Sequence, residues 1–191
     1  MSTHGRLVIV SGPSGAGKTT VVQRVFRRSK IPLATAVTAT TRPPREGERD
    51  GVDYHFLSPD EFARRRRNGE FIETCEVFGK GVWYGTPRSE VESRLQTGSW
   101  VLLNIDVDGA REVMSRYPDA ISIFISPGDE AELERRLRQR GTDDEESIRR
   151  RLQRARYEME QASHYRHVVI NDQVERAADE IARILSQYQE A

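Results

Sequence analysis

Residues 8–20 of the chain are VIVSGPSGAGKTT, and they carry the clearest structural signal in the sequence. A short β-branched run leads into glycines and ends in Lys-Thr-Thr. The segment from Gly12 to Thr19 satisfies the pattern G-x-x-x-x-G-K-[ST], and apolar residues at helical spacing follow from Val21 to Phe26. A strand, a glycine-rich turn and a helix in this order predict a loop that holds the phosphates of a nucleoside triphosphate.

Lys18 and Thr19 carry the chemistry that this pattern predicts. The Lys18 ammonium can reach the β- and γ-phosphates, and the Thr19 hydroxyl can bind the Mg²⁺ that accompanies ATP. The chain has three lysines against 27 arginines, so composition does not explain a lysine in this turn. The alternative is a glycine-rich turn without a ligand. The predicted ATP-binding residues of the loop are Gly12, Pro13, Ser14, Gly15, Ala16, Gly17, Lys18, Thr19 and Thr20.

Length, charge and cysteine content restrict the function classes. The 191 residues suit one domain, and 30 basic residues balance 30 acidic ones, so overall charge predicts neither a nucleic-acid partner nor a membrane partner. Cys75 is the single cysteine, which excludes an intramolecular disulfide and a cysteine-based metal cluster. No apolar run reaches the ~18 residues of a membrane span, and residues 1–10 lack a secretory signal. We therefore expect a soluble, cytoplasmic protein.

Four short apolar runs predict buried strands that alternate with segments of helical spacing. Such alternation is typical of an α/β fold with a parallel sheet and helices on both faces. The predicted strands are Leu7–Val10, Val101–Ile105, Ile121–Ile125 and Val168–Ile170. Residues 35–86 lack the alternation and contain shorter strand-like pieces, so they predict a small, mostly β insertion.

Capping residues predict where three helices begin. Ser58-Pro59-Asp60-Glu61 places a cap before a proline, with a glutamate three positions on, and Thr142 to Glu145 repeats the capping box. Thr86-Pro87 offers a third start. The arginine run at 63–68 fits no motif, and we interpret it as a solvated helix face rather than a nucleic-acid contact.

Two stretches suggest a second anion site. In TATTRPPREGERDGVDYHF, residues 38–56, Arg42 and Arg45 flank two prolines and can chelate a phosphate, to which Tyr54 could add a hydroxyl. FIETCEVFGKGVWYGTP, residues 71–87, adds polar side chains at positions 73, 84 and 86. From spacing alone, the arginines could equally lie in a solvated loop and the acid at 73 could face water.

Several motifs together resemble the guanylate kinase family, whose members pass the γ-phosphate of ATP to GMP. They are SGPSGAGKTT, TTRPPREGE, GVDYHF, FIE, YGTP, IDVDGA, RGTDDEESIRRRL and VIND, and they extend from Arg6 to Ile184. The resemblance implies a P-loop NTPase core, a GMP-binding insertion and a helical lid within one domain. It implies Mg²⁺ with ATP, substrates ATP and GMP, and a role in guanine nucleotide salvage. The implied boundaries are about 1–34, 87–130 and 160–191 for the core, 35–86 for the insertion and 131–159 for the lid.

The resemblance also implies roles for particular residues. Glu48 lies in a stretch that is near the metal and phosphates in the family. Arginines of the lid approach the transferred phosphoryl group, with Gly141 as a hinge. The residues implied to bind the GMP phosphate are Thr38, Arg42, Arg45, Tyr54 and Tyr84. Those implied to bind the guanine base, called guanine readers, are Glu73, Thr86 and Asp106. The implied lid arginines are Arg136, Arg140 and Arg151, and Asn171 is implied to contact adenine. A carboxylate suits the guanine readers because guanine presents N1–H and N2–H donors, whereas adenine presents an acceptor at N1.

Three departures from the family pattern leave alternatives open. Asn104 stands where an acid is common, Asp108 where glutamine is common, and the loop through residues 79–83 is about two residues longer than usual. The alternatives are a P-loop kinase for another small phosphorylated acceptor and a non-catalytic binding module of the same fold. The retained Lys18 and Thr19 oppose the module, and the sequence does not indicate an oligomeric state.

Overall fold

The computed structural model describes residues 5–77, 81–139 and 145–190. The chain forms two compact units, each assembled from separated segments. Unit 1 contains Met1–Leu7, Ala34–Leu103 and Asp108–Ala120, and unit 2 contains Val8–Leu33, Asn104–Val107 and Ile121–Ala191. The predicted division into core, insertion and lid stays a prediction.

A five-stranded sheet contains the four strands predicted from the apolar runs and one further strand. The strands are β1 (Leu7–Ser11), β2 (Leu33–Thr35), β7 (Trp100–Asn104), β8 (Ile121–Ser126) and β9 (His167–Ile170), in the order β2-β7-β1-β8-β9. The predicted parallel sheet flanked by helices is thus confirmed. Sequence reasoning missed β2 because three half-buried or exposed residues give no periodic signal.

The centre of unit 2 is a pair of buried parallel strands. All residues of β1 and β8 are buried, and Val10 lies opposite Ile123. Next to β8 lies β9, also parallel, at the edge of the sheet. The prediction that Val168 and Ile170 are buried was wrong, because they are 48% and 50% exposed. An edge strand covered on one face alternates between buried and exposed side chains.

Among the described residues, unit 2 contains four α-helices. They are α1 (Lys18–Arg28), α5 (Glu130–Gln139), α6 (Glu145–Glu160) and α7 (Val174–Glu190), and a short 3₁₀ helix covers Gln161–His164. The first and last α-helices pack against each other, and α7 buries an apolar stripe that includes Ile181 and Leu185. Leu133, Leu137 and Ala155 form a core between α5 and α6. The predicted capping box at 142 and the Gly141 hinge lie outside the described residues.

Unit 1 contains the predicted β-rich segment. Its four-stranded sheet has the order β4-β3-β6-β5. The strands are β3 (Ala39–Thr40), β4 (His55–Phe56), β5 (Phe71–Val77) and β6 (Val82–Pro87). A small hydrophobic core in this unit contains Ala39, Phe62 and Phe71. The two phenylalanine rings stack with 4.6 Å between their centroids. The antiparallel pair β5–β6 carries three of the predicted acceptor residues, which are Glu73, Tyr84 and Thr86.

The remaining helices lie mainly in unit 1, and two of them begin near residues where the sequence predicts a helix N-terminus. In α2 (Pro59–Arg67), the Ser58 hydroxyl accepts a hydrogen bond from the Glu61 N–H at 3.2 Å, which confirms the predicted cap. Pro87 occupies the N-cap position of α3 (Arg88–Gln96) and makes no side-chain capping hydrogen bond, so this helix begins one residue later than Thr86-Pro87 predicted. Helix α4 spans Val107–Arg116. Glu61 accepts hydrogen bonds from Arg64 and Arg65, as expected for a solvated helix face.

In the described part of the chain, no helix combines the length and the apolar character that crossing a membrane requires.

Candidate active site

The predicted phosphate loop connects β1 to α1 in unit 2. Gly12 and Gly17 have φ angles of 141° and 80°, which disfavour any residue with a Cβ atom. A Cβ on Gly12 would lie 2.2 Å from the Ile125 carbonyl oxygen, and one on Gly17 would lie 2.6 Å from Asn171 Nδ2. Both glycines of the pattern are therefore required by the backbone conformation and by close neighbours.

Lys18 lies against the loop that it terminates. Its Nζ donates hydrogen bonds to the carbonyl oxygens of Gly12 at 2.6 Å and Pro13 at 3.0 Å. Thr19 Oγ1 accepts a long contact of 3.5 Å from Asn104 Nδ2, so the residue that departs from the family pattern contacts the predicted magnesium ligand. A cavity of about 280 Å³ opens here, lined by loop residues and by the carboxylates of Asp106 and Glu158.

Asn171 fixes the other side of the loop. Its Nδ2 donates to the Ala16 carbonyl oxygen at 2.7 Å, and its Oδ1 is a buried acceptor without a hydrogen-bond partner in the described part of the chain. Asn171 also lines a second cavity of about 300 Å³ that includes Gly15, Gly17 and Arg136. The residue predicted to contact adenine thus lies directly beside the phosphate loop.

The predicted lid arginines have different surroundings. Arg136 lies next to the loop, where Nη2 donates to the Asn171 carbonyl oxygen and Nε to Glu132, each at 2.6 Å. Hydrogen bonds from Arg135 and Arg136 lower the pKa of Glu132 to about 2. Arg151 is half-buried on α6. Arg140 lies outside the described residues.

Glu158 is a residue of this cavity that sequence reasoning missed. It is 6% exposed, and its Oε2 accepts a hydrogen bond of 3.1 Å from the Ser14 backbone N–H of the phosphate loop. Its Oε1 accepts a hydrogen bond of 3.1 Å from Arg154 Nε. The surrounding sequence resembles any charged helix, so only the packing of α6 distinguishes this acid from its exposed neighbours.

In unit 1, Arg42 and Glu48 form the centre of the predicted acceptor site. The Arg42 guanidinium donates two parallel hydrogen bonds of 2.8 Å to the Glu48 carboxylate, and the Arg45 backbone N–H donates a third at 2.7 Å. The hydrogen bonds from Arg42 and then from Arg45 lower the pKa of Glu48 to about 2. The Arg45 side chain is exposed, and Arg42 is largely covered.

Two tyrosines complete the surroundings of Arg42. Arg42 Nε donates to Tyr84 Oη at 3.2 Å, and its guanidinium lies 5.2 Å from the centre of the Tyr54 ring. Thr38 is half-buried just before β3, and its carbonyl oxygen accepts from the His55 N–H. The structure therefore places Arg42, Tyr54 and Tyr84 in one cluster.

Glu73 and Thr86 form a second polar pair on the β5–β6 ladder. They lie opposite each other, and the Thr86 hydroxyl donates to Glu73 Oε1 at 2.6 Å. Glu73 is 4% exposed, so the alternative that it faces water is wrong. A Cβ on Gly109 would lie 3.0 Å from Glu73 Oε2, which gives this glycine a packing reason that sequence reasoning did not identify.

The spacing along β6 relates the two clusters. Tyr84 and Thr86 are two residues apart, so their side chains extend from the same face of the strand, about 7 Å apart along the chain. Tyr84 contacts Arg42 and Thr86 contacts Glu73, so β6 carries one residue of each cluster. The predicted base reader Asp106 belongs to unit 2, where it lines the phosphate-loop cavity.

Comparisons with known proteins agree on one family. A family model described as guanylate kinase matches residues 4–188. Guanylate kinases of Rhodopirellula baltica and Fusobacterium nucleatum are 50% and 45% identical to the chain, over 95% of its length and 87% and 96% of theirs. The crystal structure of guanylate kinase from Anaplasma phagocytophilum superposes with a TM-score of 0.78 at 33% identity, covering all of this chain and 89% of that one. This chain therefore belongs to the guanylate kinase family, a family of nucleotide-binding enzymes.

Proposed function

We propose that this protein transfers the γ-phosphoryl group of ATP to GMP and releases ADP and GDP. The observation that carries the proposal is the buried carboxylate of Glu73, held by Thr86 on the strand that also carries Tyr84 of the Arg42 cluster. An acceptor site of this kind suits a ligand with a hydrogen-bond-donating base at one end and a phosphate at the other.

Glu73 supports guanine over adenine on chemical grounds. An ionised carboxylate only accepts hydrogen bonds, and guanine presents two adjacent donors, N1–H and N2–H. Adenine would turn its N1 lone pair toward the same oxygens. Thr86 holds one carboxylate oxygen at 2.6 Å, so the direction in which the carboxylate faces is fixed before a base arrives. Asp106 is the second proposed acidic reader.

The Arg42 cluster supports binding of the GMP phosphate. Glu48 holds the Arg42 guanidinium by two hydrogen bonds, and the exposed side chain of Arg45 adds a second cation. Tyr54, Tyr84 and Thr38 contribute hydroxyl groups to the same site. Cations and hydroxyl donors placed in this way neutralise a phosphate dianion and set its orientation.

The donor side is the phosphate loop of unit 2. Backbone N–H groups of the loop from Gly15 to Thr20, where α1 begins, hold the ATP phosphates, and Lys18 moves from the loop carbonyls to the β- and γ-phosphates. Asn171 contacts adenine, and its Oδ1, which is buried and has no hydrogen-bond partner among the described residues, is an acceptor that suits the adenine amino group. Arg136, Arg140 and Arg151 place positive charge around the moving phosphoryl group when the lid closes.

Thr19 fits a magnesium ion that arrives with ATP. It lines the phosphate-loop cavity, and its hydroxyl offers the oxygen ligand that Mg²⁺ prefers. Among the described residues, no group of three or more acidic, histidine or cysteine side chains could hold a metal. An ion held mostly by substrate phosphates needs no such group. When bound, Mg²⁺ supplies neutralisation of phosphate charge.

The transfer itself needs no covalent step from the protein. A phosphate oxygen of GMP forms a bond to the γ-phosphorus while the bond to the β,γ-bridging oxygen breaks, and the electron pair leaves with ADP. The chain contributes orientation, positive charge and exclusion of water. Formation of GDP from GMP fits recycling of guanine nucleotides in the cytoplasm.

An acceptor panel tests the proposal. Purified protein with Mg-ATP is offered GMP, dGMP, IMP, AMP, CMP or UMP, and ADP release is measured against ATP alone. We expect GMP to give the highest kcat/KM and IMP, which lacks the 2-amino group, a lower value. Preference for another nucleotide or sugar phosphate would identify a different kinase. ATP and GMP binding without ADP release would indicate a binding module.

A further inference from the structure

Glu158 connects α6 to the phosphate loop, and the proposed mechanism gives it no role. Its carboxylate is 6% exposed and accepts one hydrogen bond from the Ser14 N–H and one from Arg154, each at 3.1 Å. A buried carboxylate requires such partners on both oxygens to offset the loss of hydration. One of these partners is the backbone of the loop that is proposed to hold ATP.

The position of Ser14 makes this contact relevant to nucleotide binding. Ser14 is the third residue of the pattern that runs from Gly12 to Thr19, and Ser14 and Glu158 line the same cavity as Lys18 and Thr19. A loop binds phosphates through N–H groups that point in fixed directions. A hydrogen bond that holds one peptide of the loop restricts the directions of the neighbouring peptides.

The helix carries a second proposed functional residue. Arg151 and Glu158 are seven residues apart on α6, which is two helical turns, so they lie on the same face. The contact at Ser14 therefore sets the distance between the loop and the helix that presents Arg151. Lys18 at one end of the loop and Arg151 on the helix would both act on the same phosphates.

We propose that Glu158 is a positioning residue that holds the phosphate loop through the Ser14 N–H and thereby aligns α6 with the bound triphosphate. The inference deepens the proposed function, since it takes ATP as the ligand of the loop. It requires the carboxylate to act as a hydrogen-bond acceptor. Glutamine keeps its amide oxygen toward the Ser14 N–H, and its NH₂ group then faces Arg154, whose side chain is 46% exposed and can turn to solvent. Replacement by glutamine is therefore tolerated, and replacement by an apolar side chain is not.

Three variants test this role: Glu158→Gln, Glu158→Leu and, as a matched control, Glu160→Gln. Glu160 is an exposed acid at the end of the same helix. The affinity for MgATP is measured by calorimetry without an acceptor, and KM for ATP, KM for GMP and kcat are measured with GMP. Thermal unfolding reports whether each variant is folded.

We expect Glu158→Leu to weaken MgATP binding roughly tenfold, the size of one hydrogen bond, and to lower kcat while KM for GMP changes less than about twofold. Glu158→Gln should stay within about threefold of the wild type, and Glu160→Gln should match it. A merely structural residue would not separate ATP from GMP in this way.

Other outcomes overturn the proposal. Unchanged or tighter MgATP binding in Glu158→Leu would mean that the contact is dispensable or that the charge repels phosphate. Equal weakening of ATP and GMP would indicate general destabilisation. If the leucine variant does not fold, the glutamine variant alone decides. A tenfold or greater change in its MgATP affinity would reject the proposal that Glu158 acts as a hydrogen-bond acceptor for the Ser14 N–H. Because MgATP affinity is measured without an acceptor, failure of GMP as substrate would leave this test intact.

Discussion

Replacement of Glu73 by glutamine tests the proposed base selection. The carboxylate is 4% exposed, and Thr86 donates to its Oε1 at 2.6 Å. If the amide keeps its oxygen toward Thr86, its NH₂ group takes the position of Oε2 and meets the guanine donors. If the amide turns over, one acceptor faces guanine where the carboxylate offered two.

Either arrangement weakens the hydrogen bonds between residue 73 and guanine by an amount that can be calculated. A hydrogen bond to a charged group contributes about 1.5–3 kcal/mol and a neutral one about 0.5–1.5 kcal/mol, so the loss is about 1–1.5 kcal/mol per hydrogen bond and about 1–3 kcal/mol over the one or two bonds to guanine. Since ~1.4 kcal/mol corresponds to a factor of ten, kcat/KM for GMP should fall roughly 10- to 100-fold. AMP should lose little or gain, because the amide can donate to its N1 acceptor.

The assay compares kcat/KM for GMP and AMP between wild type and Glu73→Gln. Glu76→Gln is the control, because Glu76 lies three residues on along β5, is exposed and extends from the opposite face of the strand. The control should behave as wild type with both nucleotides, and MgATP affinity should be unchanged in both variants. An equal loss for GMP and AMP in Glu73→Gln would show that Glu73 acts structurally.

Three further predictions address other parts of the site. Lys18→Met should unfold at the wild-type temperature but lose roughly 100-fold or more in kcat, and near-normal turnover would refute the P-loop assignment. Gly109→Ala should raise KM for GMP several-fold without changing MgATP affinity, since its Cβ would lie 3.0 Å from Glu73 Oε2; unchanged KM would show that the carboxylate can shift freely. Glu48 has a pKa lowered to about 2, so the stability it provides is present above about pH 4.5 and is lost as the pH falls toward 2. Urea midpoints of wild type and Glu48→Gln should therefore differ at neutral pH and converge at acid pH, and a constant difference would exclude this linkage.

The phosphate loop shows what one short segment of sequence can determine. The order of strand, glycines, Lys18 and helix follows from local backbone requirements, since only glycine fits the φ angles at Gly12 and Gly17. The cap at Ser58 and the buried strands β1 and β8 are likewise local signals of side-chain chemistry and hydrophobic run length. The family resemblance added candidate roles for Glu73, whose own spacing was ambiguous.

Which of many similar side chains are buried depends on contacts in the folded chain that local sequence does not reveal. Glu158 stands in a helix full of acids and arginines, and nothing local separates it from the exposed Glu160 until the Ser14 N–H meets its carboxylate across 144 residues of sequence. The same reason explains the exposed Val168 and Ile170, since hydrophobic pattern alone cannot say that a parallel strand lies at the edge of its sheet. Burial and pairing depend on contacts between segments distant in sequence, and those contacts have no periodicity that a single chain segment displays.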